Sequence, residues 1–130
     1  MDENLRALRV LVVEDELLIR WSIAQTLADA GHTVIEAEDG TTAVMALKND
    51  AERIDAVVLD YRLPDSNDLT LLATIRRLSP ASAVVMMTAY GTSEMAAQAK
   101  SLGVYEVVAK PFDVAAIAEL LVEAYRSKAS

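Results

Sequence analysis

At 130 residues the chain has the length of one domain, enough for a single hydrophobic core and too little for two. Apolar residues make up 53% of it and charged residues 25%, a globular and not a disordered composition. Twenty Asp and Glu against twelve Lys and Arg leave a formal charge of -8, which argues against direct binding of nucleic acid, and the absence of cysteine excludes disulfide staples, thiolate metal sites and cysteine nucleophiles.

The opening segment, MDENLRALRV, has no basic stretch leading into an apolar one, and no run approaches the roughly 18 apolar residues that span a bilayer; a cytoplasmic domain without membrane association is expected. The first apolar run, residues 8–13 (LRVLVV), reads, like the runs at 33–37 and 54–59, as a strand buried on both faces. Ile19, Ile23 and Leu27 follow at helical intervals, and Gly31 stands where a helix end needs a left-handed residue. A strand over 33–37 and a helix over 41–49 come next, then a strand over 54–59 (IDAVVL) and a helix over 69–78 stopped by Pro80. A fourth strand spans 83–87 (AVVMM), where Met86 and Met87 should be core; Met45 and Met95 fall in helices. The helix over 93–102 is stopped by Gly103, and the fifth strand, 104–108, is the weakest because Glu106 interrupts it. The last helix, 114–125, carries Val114, Ile117, Ala118 and Leu121 on one face.

The 22 alanines favour helices that lie close against a sheet. Strict alternation of strand and helix predicts an α/β fold, a parallel sheet with helices on both sides and no internal repeat or linker. Ligands of such sheets bind beyond the carboxyl ends of the strands, where strand order reverses, so the loops after the strands are where chemistry is sought.

The first predicted strand runs into Glu14 and Asp15 and the third into Asp60, which brings three carboxylates to one edge. Unit charges about 4 Å apart repel by roughly 4 kcal/mol at an effective dielectric near 20, so the cluster must take up a proton or recruit a cation. Oxygen donors without nearby His or Cys favour Mg²⁺, with Mn²⁺ as the alternative, over zinc. The fourth strand ends at Thr88 and the fifth is followed by Lys110 and Pro111, adding a hydroxyl and an ammonium that would suit a phosphoryl group. Three carboxylates and one lysine sum to -2, which one divalent cation balances. Any one of these residues alone would be read as a solvated loop end.

The segments VLVVEDE, VVLDYRLPDSNDL, VMMTAYG and VVAKPFD resemble, in content, order and spacing, the hallmark segments of response-regulator receiver domains. The resemblance covers nearly the whole chain, so that residues 1–130 are expected to be one receiver domain, and TAYG and AKPFD are most similar to the nitrogen-regulator type, which usually precedes an ATPase module. It implies a flavodoxin-like three-layer sandwich, a five-stranded parallel sheet of order 2-1-3-4-5 with five helices. It further implies that Asp60 is the nucleophile that takes a phosphoryl group from a phosphohistidine of a sensor histidine kinase. Asp15, Asp60 and the backbone carbonyl of Arg62 would ligate Mg²⁺, Glu14 would act mainly through bound water, and Thr88 and Lys110 would grip the phosphoryl oxygens. The helix 4, strand 5 and helix 5 face would serve dimerisation or partner docking, and an output domain or effector would lie in a longer regulator.

Several positions depart from the family. Val107 occupies the place, three before Lys110, where an aromatic residue is common. Tyr105 lies two residues earlier, on the same side of an ideal strand, and Tyr90 follows Thr88; either is a candidate substitute, with simple packing as the plainer role. Asp68, after Asn67, stands where a Gly is frequent, and Asn and Asp both tolerate a left-handed backbone. Arg62 could shield an acyl phosphate or pair with surface carboxylates. His32, the single histidine, is expected to be exposed or to cap a strand, and Trp21 to be packing or surface cover.

Two other classes fit the sequence less well. A pseudo-receiver, an interaction module without phosphotransfer, would be signalled by loss of Asp60 or Lys110, and both are present. An aspartyl-phosphate hydrolase would place an acid at position 62 and needs a cap that 130 residues leave no room for, and a flavin carrier would need a Ser, Thr and Gly-rich phosphate loop after the first strand.

Overall fold

A computed structural model describes residues 7–50, 54–66, 68–89 and 91–129. Five strands alternate with five helices: β1 Arg9–Val13, α1 Leu17–Asp29, β2 Thr33–Ala37, α2 Gly40–Asp50, β3 Ala56–Asp60, α3 Thr70–Leu78, β4 Ala83–Thr88, α4 Ser93–Ser101, β5 Val104–Ala109 and α5 Val114–Ala129. All strand pairs are parallel and the sheet order is β2-β1-β3-β4-β5. The chain therefore leaves β1 towards one edge and returns to β3 on the other side, which makes the carboxyl ends of β1 and β3 the point of reversal.

Side-chain alternation in the three inner strands divides the core into two layers. Leu11 and Val13, Val57 and Leu59, and Val84 and Met86 pack with Leu47 of α2, Leu72 and Ile75 of α3 and Ala99 of α4. Val10 and Val12, Ala56 and Val58, and Val85 and Met87 pack with Ile23 and Leu27 of α1 and Ile117, Leu121 and Ala124 of α5. Every residue of β3 and β4 is buried, as expected of Val-rich strands covered on both faces. The outer strands correct that expectation: β2 and β5 lie at the sheet edges and are only partly buried.

Particular residues set the element ends. Gly31 at φ 95° and Gly103 at φ 101° turn the chain out of α1 and α4. Arg76 of α3 braces the second turn, its guanidinium donating to the carbonyls of Leu102 and Ser82 at 3.2 and 2.8 Å. His32 does cap a strand: its Nδ1 accepts the Leu8 N–H at 2.9 Å, and burial lowers its pKa. Asp65, from the loop after β3, accepts the N–H groups of Gly40 and Thr41 at 2.8 and 3.0 Å and so caps α2 from outside that helix. α5 runs four residues beyond position 125, with Arg126 and Lys128 in its last turn, where cations suit the negative end of the helix dipole. Met86 and Met87 are core and Met45 is exposed, as is Trp21. Among the described residues no helix is long and apolar enough to cross a membrane.

Candidate functional site

The parallel ladder continues one residue past three of the strands and carries the site residues with it. Glu14 N–H donates to Ala37 O at 3.0 Å, Tyr61 N–H to Met87 O at 2.8 Å, and Lys110 N–H to Thr88 O at 2.8 Å. Asp60 is itself the last residue of β3, in register with Met87, and Thr88 is in register with Ala109. Regular backbone, and not loop conformation, therefore sets where Glu14, Asp60, Thr88 and Lys110 begin.

Glu14, Asp15 and Asp60 each present a carboxylate oxygen within 4.8 Å of the others. The Lys110 ammonium bridges two of them, donating to Glu14 Oε1 at 2.8 Å and to Asp60 Oδ2 at 3.1 Å. The remaining oxygens are also engaged: Glu14 Oε2 accepts the Glu16 N–H at 3.0 Å and Asp60 Oδ1 accepts the Arg62 N–H at 3.3 Å. Glu14 is fully buried and Asp60 nearly so, whereas Asp15 is exposed. The three acids thus differ in role: two are held inside by one lysine, and the third faces solvent.

Burial pushes the Glu14 carboxyl above its ordinary pKa against the pull of Lys110 and the Glu16 amide. Asp15 is raised too, by partial desolvation and then by its hydrogen bond and proximity to Glu14. For Lys110 burial acts downward, but the hydrogen bond to Glu14 and the charge of Asp60 outweigh it and leave the amine above its ordinary value. Burial thus disfavours the charge of Glu14 while the pair favours that of Lys110. An ammonium at 2.8 and 3.1 Å from two carboxylates is the geometry of charge-assisted hydrogen bonds.

Thr88 is buried at the end of β4, and Gly91 closes over it: a Cβ on Gly91 would meet Thr88 Cγ2 at 2.6 Å. Arg62 lies two residues past Asp60, with its side chain exposed, in a turn pinned by mutual backbone hydrogen bonds between Leu63 and Ser66. An exposed Asp15 carboxylate beside the buried ones, all oxygen and, counted with Lys110, at a formal charge of -2, is a donor set that fits a hard divalent cation.

Three departures from the family pattern have structural answers. Val107 packs against the core layer of α2, α3 and α4. Tyr105 does not share its side: pairing shifts between Val84 and Val85, Val104 and Val107 pack in the same layer although three residues apart, and Tyr105 joins neither layer and is 39% exposed. Asp68 needs no left-handed backbone, since among the described residues only glycines have positive φ; its Oδ1 instead accepts the Thr70 N–H at 2.8 Å at the start of α3. Asn67 and Tyr90 lie outside the described residues.

Sequence reasoning missed the roles of Arg20 and Asp65. Arg20 binds the Glu14 carbonyl and Glu36 from α1, and Asp65 caps α2 from 25 residues away, so no short motif exposes them.

The family model described as response regulator receiver domain matches residues 10–122. The DNA-binding transcriptional regulator NtrC of Salmonella typhimurium is 34% identical over 105 residues, 81% of this chain but 22% of the regulator, so the chain spans about a fifth of that relative. Chemotaxis protein CheY of Listeria monocytogenes is 33% identical over 118 residues, covering 90% of this chain and 98% of CheY. A chain from the crystal structure of the CheX-CheY-BeF3-Mg+2 complex of Borrelia burgdorferi superposes with a TM-score of 0.82 at 27% identity, over 89% of this chain and 87% of that one.

Proposed function

This chain belongs to the response regulator receiver domain family, and on that premise we propose that it is a phosphorylation switch with Asp60 as the acceptor. The observation that carries the proposal is the Lys110 ammonium lodged between Asp60 and Glu14 with Asp15 alongside. In the proposed step an Asp60 carboxylate oxygen attacks the phosphorus of a phosphohistidine on a sensor histidine kinase. The phosphorus–nitrogen bond breaks, its electron pair stays on the imidazole, which takes a proton from solvent, and an acyl phosphate forms on Asp60.

Burial of Asp60 and its hydrogen bonds to Lys110 and the Arg62 N–H hold the carboxylate still for in-line attack. Mg²⁺, with Mn²⁺ as a substitute, is the cation proposed for Asp15, Asp60 and the Arg62 carbonyl, with Glu14 acting through water; bound there it supplies neutralisation of the transferring group's charge. Glu14 is also the residue that keeps Lys110 on the rim. Thr88 and Lys110 are proposed to hold phosphoryl oxygens afterwards. Two charge-assisted hydrogen bonds of about 1.5 to 3 kcal/mol each sum to roughly 3 to 6 kcal/mol, against about 5.5 for complete inversion of a two-state equilibrium. The unphosphorylated domain should therefore visit the active form.

The switch is proposed to act in the cytoplasm and to report through α4, β5 and α5, by pairing with a second copy or docking on an output domain or effector. A pseudo-receiver is disfavoured because Asp60 and Lys110 are both present and in contact. Incubation with acetyl phosphate and Mg²⁺ should add one phosphoryl mass, and omission of metal or Asp60→Asn should prevent it. Labelling that survives Asp60→Asn refutes the assignment.

A further inference from the structure

The turn that carries Glu14 and Asp15 leads into a helix without the usual side-chain cap. Glu16, at the N-cap of α1, makes no side-chain capping bond, and the first turn of that helix contains no acidic residue. Besides the Glu14 Oε2 bond to the Glu16 N–H, the turn is held by Arg20, one turn into α1. Its Nη1 donates to the Glu14 carbonyl at 2.8 Å and its Nε to Glu36 Oε1 at 3.1 Å, with the side chain only 14% exposed. Glu36 adjoins Ala37, whose carbonyl accepts the Glu14 N–H at 3.0 Å. β2 thus grips Glu14 twice, directly at its N–H and through Arg20 at its carbonyl. Because the peptide unit is planar, fixing the Glu14 carbonyl also fixes the amide that begins Asp15.

We propose that Arg20 is a positioning residue for the divalent cation site: by clamping the Glu14 carbonyl to Glu36 it presents the exposed Asp15 carboxylate to the metal in one orientation. The inference rests on the reading of Glu14, Asp15 and Asp60 as a cation site. It makes a prediction opposite in sign to simple electrostatics. A guanidinium near a metal site repels the incoming cation, so its removal should tighten binding if charge were all that mattered. If positioning dominates, removal weakens binding, since outer groups that orient metal ligands are worth about tenfold or more in affinity.

The test is a Mg²⁺ titration of the full chain, wild type, Arg20→Ala and Arg20→Lys, by calorimetry and by amide shifts in NMR spectra, with urea unfolding as a check of fold. Arg20→Ala should bind Mg²⁺ about tenfold more weakly. Arg20→Lys, which keeps the charge but cannot serve the Glu14 carbonyl and Glu36 as a fork, should also be weakened. Should Arg20→Ala fail to fold, Arg20→Lys decides alone, because charge without positioning predicts no change for it. Phosphoryl uptake from acetyl phosphate should recover its wild-type rate in both variants at saturating Mg²⁺. Equal or tighter Mg²⁺ binding by the variants, or a deficit in rate that no Mg²⁺ concentration relieves, overturns the role of Arg20 and leaves the function of Asp60 intact. Failure of the wild type to bind Mg²⁺ overturns the cation site itself, and this inference with it.

Discussion

Replacing Lys110 with Met removes the ammonium but keeps the length of its stem, leaving Glu14, fully buried, and Asp60, 5% exposed, without the cation they share. At 2.8 Å the attraction between Lys110 and Glu14 is about 6 kcal/mol at an effective dielectric near 20. Much of that is offset by the desolvation of the lysine, a cost the substitution removes. Breaking a buried pair from one side costs about 3 to 5 kcal/mol because the stranded charge stays buried. Lys110 keeps 15% side-chain exposure, so water reaches the rim and the lower end, about 3 kcal/mol near neutral pH, is expected.

The pH dependence identifies the cause. Burial holds the folded Glu14 pKa above 4.5, and Lys110 is the first group opposing that rise. A raised folded pKa gives stability that is full below the unfolded value and lost as pH rises through the folded one. Without Lys110 the folded value climbs further, so the penalty should be small near pH 4.5 and grow towards neutrality. Urea unfolding of wild type and Lys110→Met across that range, with and without Mg²⁺, reads this directly, and Mg²⁺ should restore part of the loss. A penalty of equal size at both ends of the range would refute the stranded-carboxylate argument.

His32 supplies the opposite sign: its folded pKa is lowered by burial, so its contribution is present above the unfolded 6.5 and lost as pH falls through the folded value. His32→Ala should cost about 1 kcal/mol at pH above that range and flatten the slope in urea midpoints below it; an unchanged slope would count against the Nδ1 cap. Gly103→Ala meets both a positive φ and Arg76 Nε at 2.7 Å from the added Cβ, whereas Gly31→Ala meets a positive φ alone. The first should lose about 2 to 3 kcal/mol and the second about 1 in urea unfolding, and equal losses would remove the steric part of the argument. Leu72→Ala, at a fully buried site of α3, should lose about 2 to 5 kcal/mol by the same measurement. Leu17→Ala, at a site 64% exposed, should lose less than about 0.5, and a larger loss would show that Leu17 packs in solution.

Much of the fold was legible in local pattern. Apolar runs bounded by turn residues marked the five strands, and Ile19, Ile23 and Leu27, or Val114, Ile117, Ala118 and Leu121, marked helix faces that do pack on the sheet. The ends were less legible: β3 starts at Ala56 and not at 54, and α5 runs to Ala129 and not to 125, because where pairing and packing stop depends on the neighbouring elements. Glu14, Asp15, Asp60, Thr88 and Lys110 could be named from the chain because strand ends of a parallel sheet must share a rim.

Which oxygen each group holds was decided only by the assembled structure. Lys110 reaches Asp60 and Glu14 across 50 and 96 residues, Arg20 reaches Glu36 across 16, and Asp65 caps α2 across 25. The pairing shift beside Tyr105 likewise defeats counting by twos, since alternation holds only where the ladder is unbroken. Periodicity is a property of neighbours along the chain and survives in the sequence; charge pairing and burial are properties of neighbours in space, which exist only once the layers have closed.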